Sequence, residues 1–238
     1  MTEYAPYTYP QPSRGYAPPS QAKSLQGRAI VAITGLGSGI LLTIAGWALS
    51  MWAASQSSVS YRSDDLIAVA ALGAFGSMFL TLLLAGITFI IWLHQAAKNV
   101  EGFGGGLRWT PGWAIGAWFV PIGNLIIPLR MLNEIDRTSE SYVQDSSRVK
   151  GSRAVYILWA ILWTAYLLIG RNLTAFNDFD TEPELAAALS GLGSLMSVAA
   201  AACAILMIRR ITANQETILT QATDPYAGFP TTPAGYPP

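Results

Sequence analysis

Residues 118–128, "WFVPIGNLIIP", decide how the rest of the chain is arranged. The stretch is apolar enough for a bilayer. It nevertheless carries Pro121, Gly123, Asn124 and Pro128 within eight positions. Proline removes a backbone donor and clashes with the preceding helical turn. Broken backbone at membrane depth survives only where protein buries it or where it lines a cavity. If the segment crosses, every later loop changes side; if it turns back, none does.

Working outward, the whole chain has a membrane composition. Of its 238 residues, 52% are hydrophobic and only 12% charged. Soluble domains carry about 25% charged residues. Mean hydropathy is +0.37. An integral, all-α membrane protein follows. Formal net charge is zero, so no nucleic-acid partner is implied. Cys203 is the single cysteine, which excludes an intrachain disulfide and any cysteine-rich metal site. It reads as a small apolar residue within a helix.

The two ends resemble each other. Residues 1–24 and 224–238 hold ten of the 14 prolines and six of the ten tyrosines. Such composition cannot bury enough apolar surface to fold and favours polyproline II. The expected disordered tails are 1–24 and 216–238, around a membrane domain at 25–215. The first tail lacks a basic region followed by a short apolar core, so no cleavable signal is expected.

Four runs can span a bilayer: about 30–54, 66–93, 154–170 and 185–208. None contains Asp, Glu, Lys or Arg. The second is longer than the roughly 20 residues a bilayer needs, so it should tilt or protrude. A fifth apolar run, 112–129, contains the opening stretch. Lys and Arg in short loops favour the cytosol. If 112–129 does not cross and the N-terminus is inside, 12 basic residues lie inside, with only Arg62 and Arg171 outside. If it crosses, six lie inside and eight outside. The expectation is therefore a bundle of four transmembrane helices in the plasma membrane, with both termini cytosolic. Residues 112–129 form either a re-entrant hairpin bending near Pro121–Asn124 or a helix in the inner interface, anchored by Trp109, Trp113 and Trp118. Residues 130–143 then read as a cytosolic amphipathic helix, with Arg130, Glu134 and Arg137 on its solvated face.

The stretch from Trp92, "WLHQAAKN", and residues 107–135, "LRWTPGWAIGAWFVPIGNLIIPLRMLNEI", carry a family likeness. The chain resembles domain-of-unknown-function family 4328, multi-span membrane proteins of high-GC Gram-positive bacteria. The residues that carry the likeness include Trp92, Asn99, Arg108, Pro111, Gly112, Trp113, Trp118, Pro121, Asn124, Pro128 and Glu134. They stand as site candidates, structural or functional. His94-Gln95 departs from an expected aromatic-basic pair. The resemblance implies membrane location and no mechanism.

Other patterns weigh less. Gly35, Gly39 and Thr43, then Gly73, Ser77 and Thr81, then Ser190 and Ser194 repeat small residues at four-residue spacing. Such faces pack helices within one chain or form a homo-oligomer. "GFGGG" at 102–106 reads as a flexible connector; no Lys-Ser/Thr follows, so it is no phosphate loop. Asp178, Asp180, Glu182 and Glu184 lie in an expected outer loop, where solvation is the simpler reading than a weak cation site. No nucleophile motif, paired carboxylates, cofactor pattern or metal-ligand set is present. A non-enzymatic membrane scaffold is the leading expectation, with cytosolic protein partners recruited by the tails. The alternative is a small passive channel built around Pro121–Pro128.

Overall fold

The computed structural model describes residues 22–56, 63–143, 153–176 and 183–223. All regular structure among them is helical: α1 (Gln26–Gln56), α2 (Ser63–Gly102), α3 (Trp113–Gly116), a 3₁₀ turn (Ala117–Phe119), α4 (Gly123–Tyr142), α5 (Ala154–Phe176) and α6 (Pro183–Thr223). Among the described residues two helices are long and apolar enough to cross a membrane, at Gln26–Leu49 and Gly191–Ala222. A shorter apolar helix covers Ala154–Leu168.

The long helices lie side by side. α1 contacts α2 and α6, and α5 contacts α6. Small residues set the closest approach. A Cβ on Gly35 would stand 3.0 Å from Thr88 Oγ1 and 3.4 Å from Ala85 Cα. The Gly35 face of α1 is thus used within the chain, against α2. Thr88 donates back to the Leu84 carbonyl at 2.8 Å, so its hydroxyl is satisfied inside its own helix.

Core and surface are inverted relative to a soluble bundle over much of this length. Leu41 of α1, Phe79 of α2, Ile161 of α5 and Leu195 of α6 are 69%, 69%, 60% and 69% exposed. Water would make such a belt costly. The buried core gathers toward one end, around Leu25, Trp92, Ala96, Met131, Ile135, Met207 and Ile211.

α2 stops for a local reason. Gly104 has φ +83°, a conformation that only glycine adopts freely. Gly104 N–H donates to the Glu101 carbonyl and Gly105 N–H to the Val100 carbonyl, the bond pair of a Schellman cap. A Cβ on Gly105 would meet Thr138 Cγ2 at 2.8 Å. The expected flexible connector is therefore a close-packed turn seated on α4.

The segment in question then doubles back. His94 Nδ1 lies 2.9 Å from the Pro111 carbonyl. The chain runs through α3 and the 3₁₀ turn to Trp118, whose ring sits edge-on to Phe89. Val120 is extended, at φ −100° and ψ 115°. Asn124 N–H donates to the Val120 carbonyl at 2.7 Å, and α4 returns. Its far end meets the end of α2 again, since Arg108 N–H donates to Glu134 at 2.9 Å. Residues 111–142 thus enter and leave at one end of the bundle. Asn99 and Phe89 are ten residues apart on α2, so the hairpin reaches about 15 Å along it.

Several boundaries shift. α4 begins at Gly123, not at 130, and encloses Pro128. Its Met131, Leu132, Ile135 and Asp136 are buried against neighbouring helices rather than laid on a surface. α6 runs to Thr223, so residues 216–223 are helix and not tail. Gly73, Ser77, Thr81, Ser190 and the acidic side chains of 178–184 lie outside the described side chains.

Candidate functional site

At the end where the hairpin enters, four segments meet around Asn99 of α2, which is fully buried. Its Oδ1 accepts from Lys23 N–H at 3.0 Å and from Gln95 Nε2 at 3.0 Å. Its Nδ2 donates to the Lys23 carbonyl at 2.7 Å and to Gln215 Oε1 at 2.9 Å. Two donors and two acceptor positions are all used, the full capacity of an amide side chain. Gln215 Nε2 passes the network on, donating to the Ala96 carbonyl at 3.0 Å and Ser139 Oγ at 3.1 Å. Trp92 Nε1 donates to Thr212 at 3.1 Å.

Two charged contacts flank this hub. Glu216 Oε1 accepts from Ser24 Oγ at 2.7 Å, Leu25 N–H at 2.6 Å and Gln26 N–H at 3.1 Å. A helix begins with unpaired N–H groups and a positive dipole end; a carboxylate from α6 serves both for α1. On the other side Arg210 donates through Nε to Asp136 at 2.9 Å and through Nη2 to Glu140 at 3.1 Å. The two carboxylates hold the guanidinium in its partly exposed position against α4. The Tyr156 hydroxyl is buried beside Asp136, short of hydrogen-bonding geometry.

Below this junction lies a cavity of about 140 Å³. Phe89, Trp118, Trp159, Trp163 and Tyr166 form an aromatic wall, and Gly39, Gly86, Ser197 and Ala201 leave the space open. Trp118 stands edge-on to Trp163, with ring centres 6.2 Å apart, and Trp159 stacks on Trp163 at the same separation. The indole N–H of Trp163 is buried and unpartnered. Trp118 Nε1 is satisfied by the Ala114 carbonyl at 3.0 Å.

A family described as a domain of unknown function, DUF4328, matches residues 53–213. The chain belongs to DUF4328. No curated protein and no solved structure matches it. The matched span holds Asn99, the hairpin and the cavity's α5 and α6 walls. Lys23, Gln215 and Glu216 lie outside it, although they complete the junction in this DUF4328 member.

The candidate residues of the DUF4328 resemblance separate into four groups. Trp92, Asn99, Arg108, Pro111 and Glu134 come together at the junction end. Arg108 contributes its backbone N–H and Pro111 its carbonyl, so their side-chain chemistry is not what the geometry uses. Trp118 belongs to the cavity. Gly112, Trp113 and Pro121 are exposed along the hairpin, with Trp113 edge-on to Trp109. Pro128 is buried inside α4, and Asn124 Oδ1 is buried without a partner. Neither Asn124 nor the two prolines line the cavity. His94-Gln95, the departure from the family pattern, is absorbed into hydrogen bonds to Pro111 and Asn99.

Sequence reasoning missed Asp136, Ser139, Glu140, Arg210, Thr212, Gln215 and Glu216. A signal existed. Asp136, Ser139 and Glu140 share one helical face by their three- and four-residue spacing, offset from the Arg130–Glu134–Arg137 face. Which face docks is a tertiary fact.

Proposed function

We propose that this chain is a non-enzymatic, multi-span scaffold of the plasma membrane. In this reading α1, α2, α5 and α6 each cross the bilayer. Both termini are cytosolic, and residues 111–142 dip in from the cytosolic side and return. The two Pro/Tyr-rich tails act as docking segments for cytosolic proteins with aromatic grooves. The observation that carries this reading is the contact of Glu216 with Ser24, Leu25 and Gln26. It sets the start of α1 against α6 only seven residues before Thr223, about 10 Å of helix. Two similar sequences therefore depart from neighbouring points, and paired weak motifs gain affinity through effective concentration. The exposed apolar belt on all four long helices supports the spans, as does the excess of Lys and Arg at the junction end.

The test compares proteins cross-linked to the full chain in intact membranes with those found after deleting 1–21, 224–238, or both. Each single deletion should weaken capture of the same partners, and the double deletion should abolish it. Identical partners in all four samples would refute the scaffold reading. The passive-channel alternative through Pro121–Pro128 has less support, because that segment lies beside an apolar cavity rather than around a polar path. Asn124→Leu in liposomes would still separate the two: a channel predicts altered solute flux.

A further inference from the structure

Among the described residues one side of the aromatic cavity is not sealed by a direct helix–helix contact. α1 contacts α2 and α6, and α5 contacts α6 and α4, but α2 and α5 do not touch each other and are bridged only through α4 and α6. At the hairpin end that gap is filled by Trp118, wedged between Phe89 of α2 and Trp163 of α5. Beyond Trp118 no other side chain of the hairpin lines the cavity. The cavity thus has a floor at Trp118 and a lateral mouth between α2 and α5.

We propose that this cavity holds the terminal methylenes of one acyl chain of a bilayer phospholipid, entering sideways between α2 and α5 from the leaflet opposite the polar junction and ending on Trp118. The proposal rests on the membrane-spanning reading above and is independent of the tails. Three observations select this occupant. The walls are apolar, formed by aromatic, aliphatic and small residues, so a water-soluble polar ligand would find few partners. An apolar cavity of this size stays dry and accepts an apolar guest. Leu42, one of its wall residues, is itself 41% exposed, so the cavity wall reaches the apolar outer face of the bundle. Phospholipid is the species present along that belt, and an entrance closed at the junction end by Trp118 dictates the leaflet.

A Cβ on Gly86 would meet nothing within 4 Å, and Gly86 is a wall residue of the cavity, so Gly86→Leu adds a side chain there with no clash at its first carbon. The full chain is placed in nanodiscs of dioleoylphosphatidylglycerol doped with a phosphatidylglycerol carrying a diazirine near one acyl terminus. After irradiation, adducts are mapped by mass spectrometry. The expected result is labelling concentrated on Trp118, Trp163 and Tyr166. In Gly86→Leu that labelling should fall about tenfold for every two methylenes excluded. Ser197→Leu fills the same cavity from α6 and serves if Gly86→Leu does not elute as a folded species. Adducts scattered over Leu41, Phe79, Ile161 and Leu195, unchanged by either variant, would mean ordinary surrounding lipid and would overturn the proposal alone. Failure of the parent chain to co-elute with discs would overturn the membrane reading and this proposal with it.

Discussion

Asn99 shows how one side chain can hold one end of a helical bundle together. Its amide joins the N-terminal segment, α2 and α6 with every hydrogen-bonding position used. Leucine fits the volume but leaves Gln215 Oε1 buried, and the part-buried Lys23 N–H and carbonyl, without their partners. Each such orphan costs about 1–3 kcal/mol. Asn99→Leu should therefore destabilise the purified protein by about 2–4 kcal/mol in denaturant titration, with the N-terminal segment becoming protease-sensitive first. A change under about 0.5 kcal/mol, typical of a neutral surface site, would show the network to be incidental. Arg210→Met makes a parallel case. It strands Asp136, whose side chain is 5% exposed, and breaking a buried pair costs about 3–5 kcal/mol; partial exposure of Arg210 places the expected loss at the lower end. Asn124 runs the other way. Its Oδ1 is buried and unpaired, so Asn124→Leu removes an unsatisfied acceptor and should leave the melting temperature unchanged or higher.

At the scale of elements, the 102–106 turn and the hairpin depend on each other. Gly104 needs a positive φ, and Gly105 leaves room for Thr138. Gly105→Ala forces Thr138 or Val100 to move, and overpacking of this kind costs about 1–3 kcal/mol. The effect should concentrate in the hairpin: faster amide exchange across 123–142, with α5 unchanged. Uniform exchange throughout would contradict a local role. Pro128 sits five residues into α4 and removes the donor that would pair with the Asn124 carbonyl. The hairpin's first turn is thereby left weaker than its last, which Glu134, Asp136, Ser139 and Glu140 all anchor.

For the whole molecule the decisive prediction concerns sidedness. Cys203 is buried and is first replaced by alanine. Ser139 is fully buried and bonded to Gln215, so Ser141, exposed on the same helix, is the better probe. In intact cells Ser141→Cys should resist a membrane-impermeant thiol reagent and react after permeabilisation, while Ser58→Cys in the expected outer loop reacts in both. Labelling of Ser141→Cys in intact cells would mean that 118–128 crosses the bilayer, and the scaffold orientation would be wrong.

Composition and uncharged runs determined by themselves that this is a helical chain with stretches apolar enough to cross a membrane, and the placement of Lys and Arg set the expectation that 118–128 turns back. Those properties are local or additive along the chain. A break near Pro121–Asn124 was expected for the same reason, since proline and glycine act on their own backbone; the chain bends at Val120–Ile122, with Gly123 and Asn124 already in α4. Only the tertiary structure decided which face of α4 docks, that Asp136 meets Arg210, that Gln215 meets Asn99, and that α6 continues to cap α1. Polar residues 74 to 192 positions apart carry no mark of their partners. Burial is what makes each partner necessary, and burial exists only once the helices have come together.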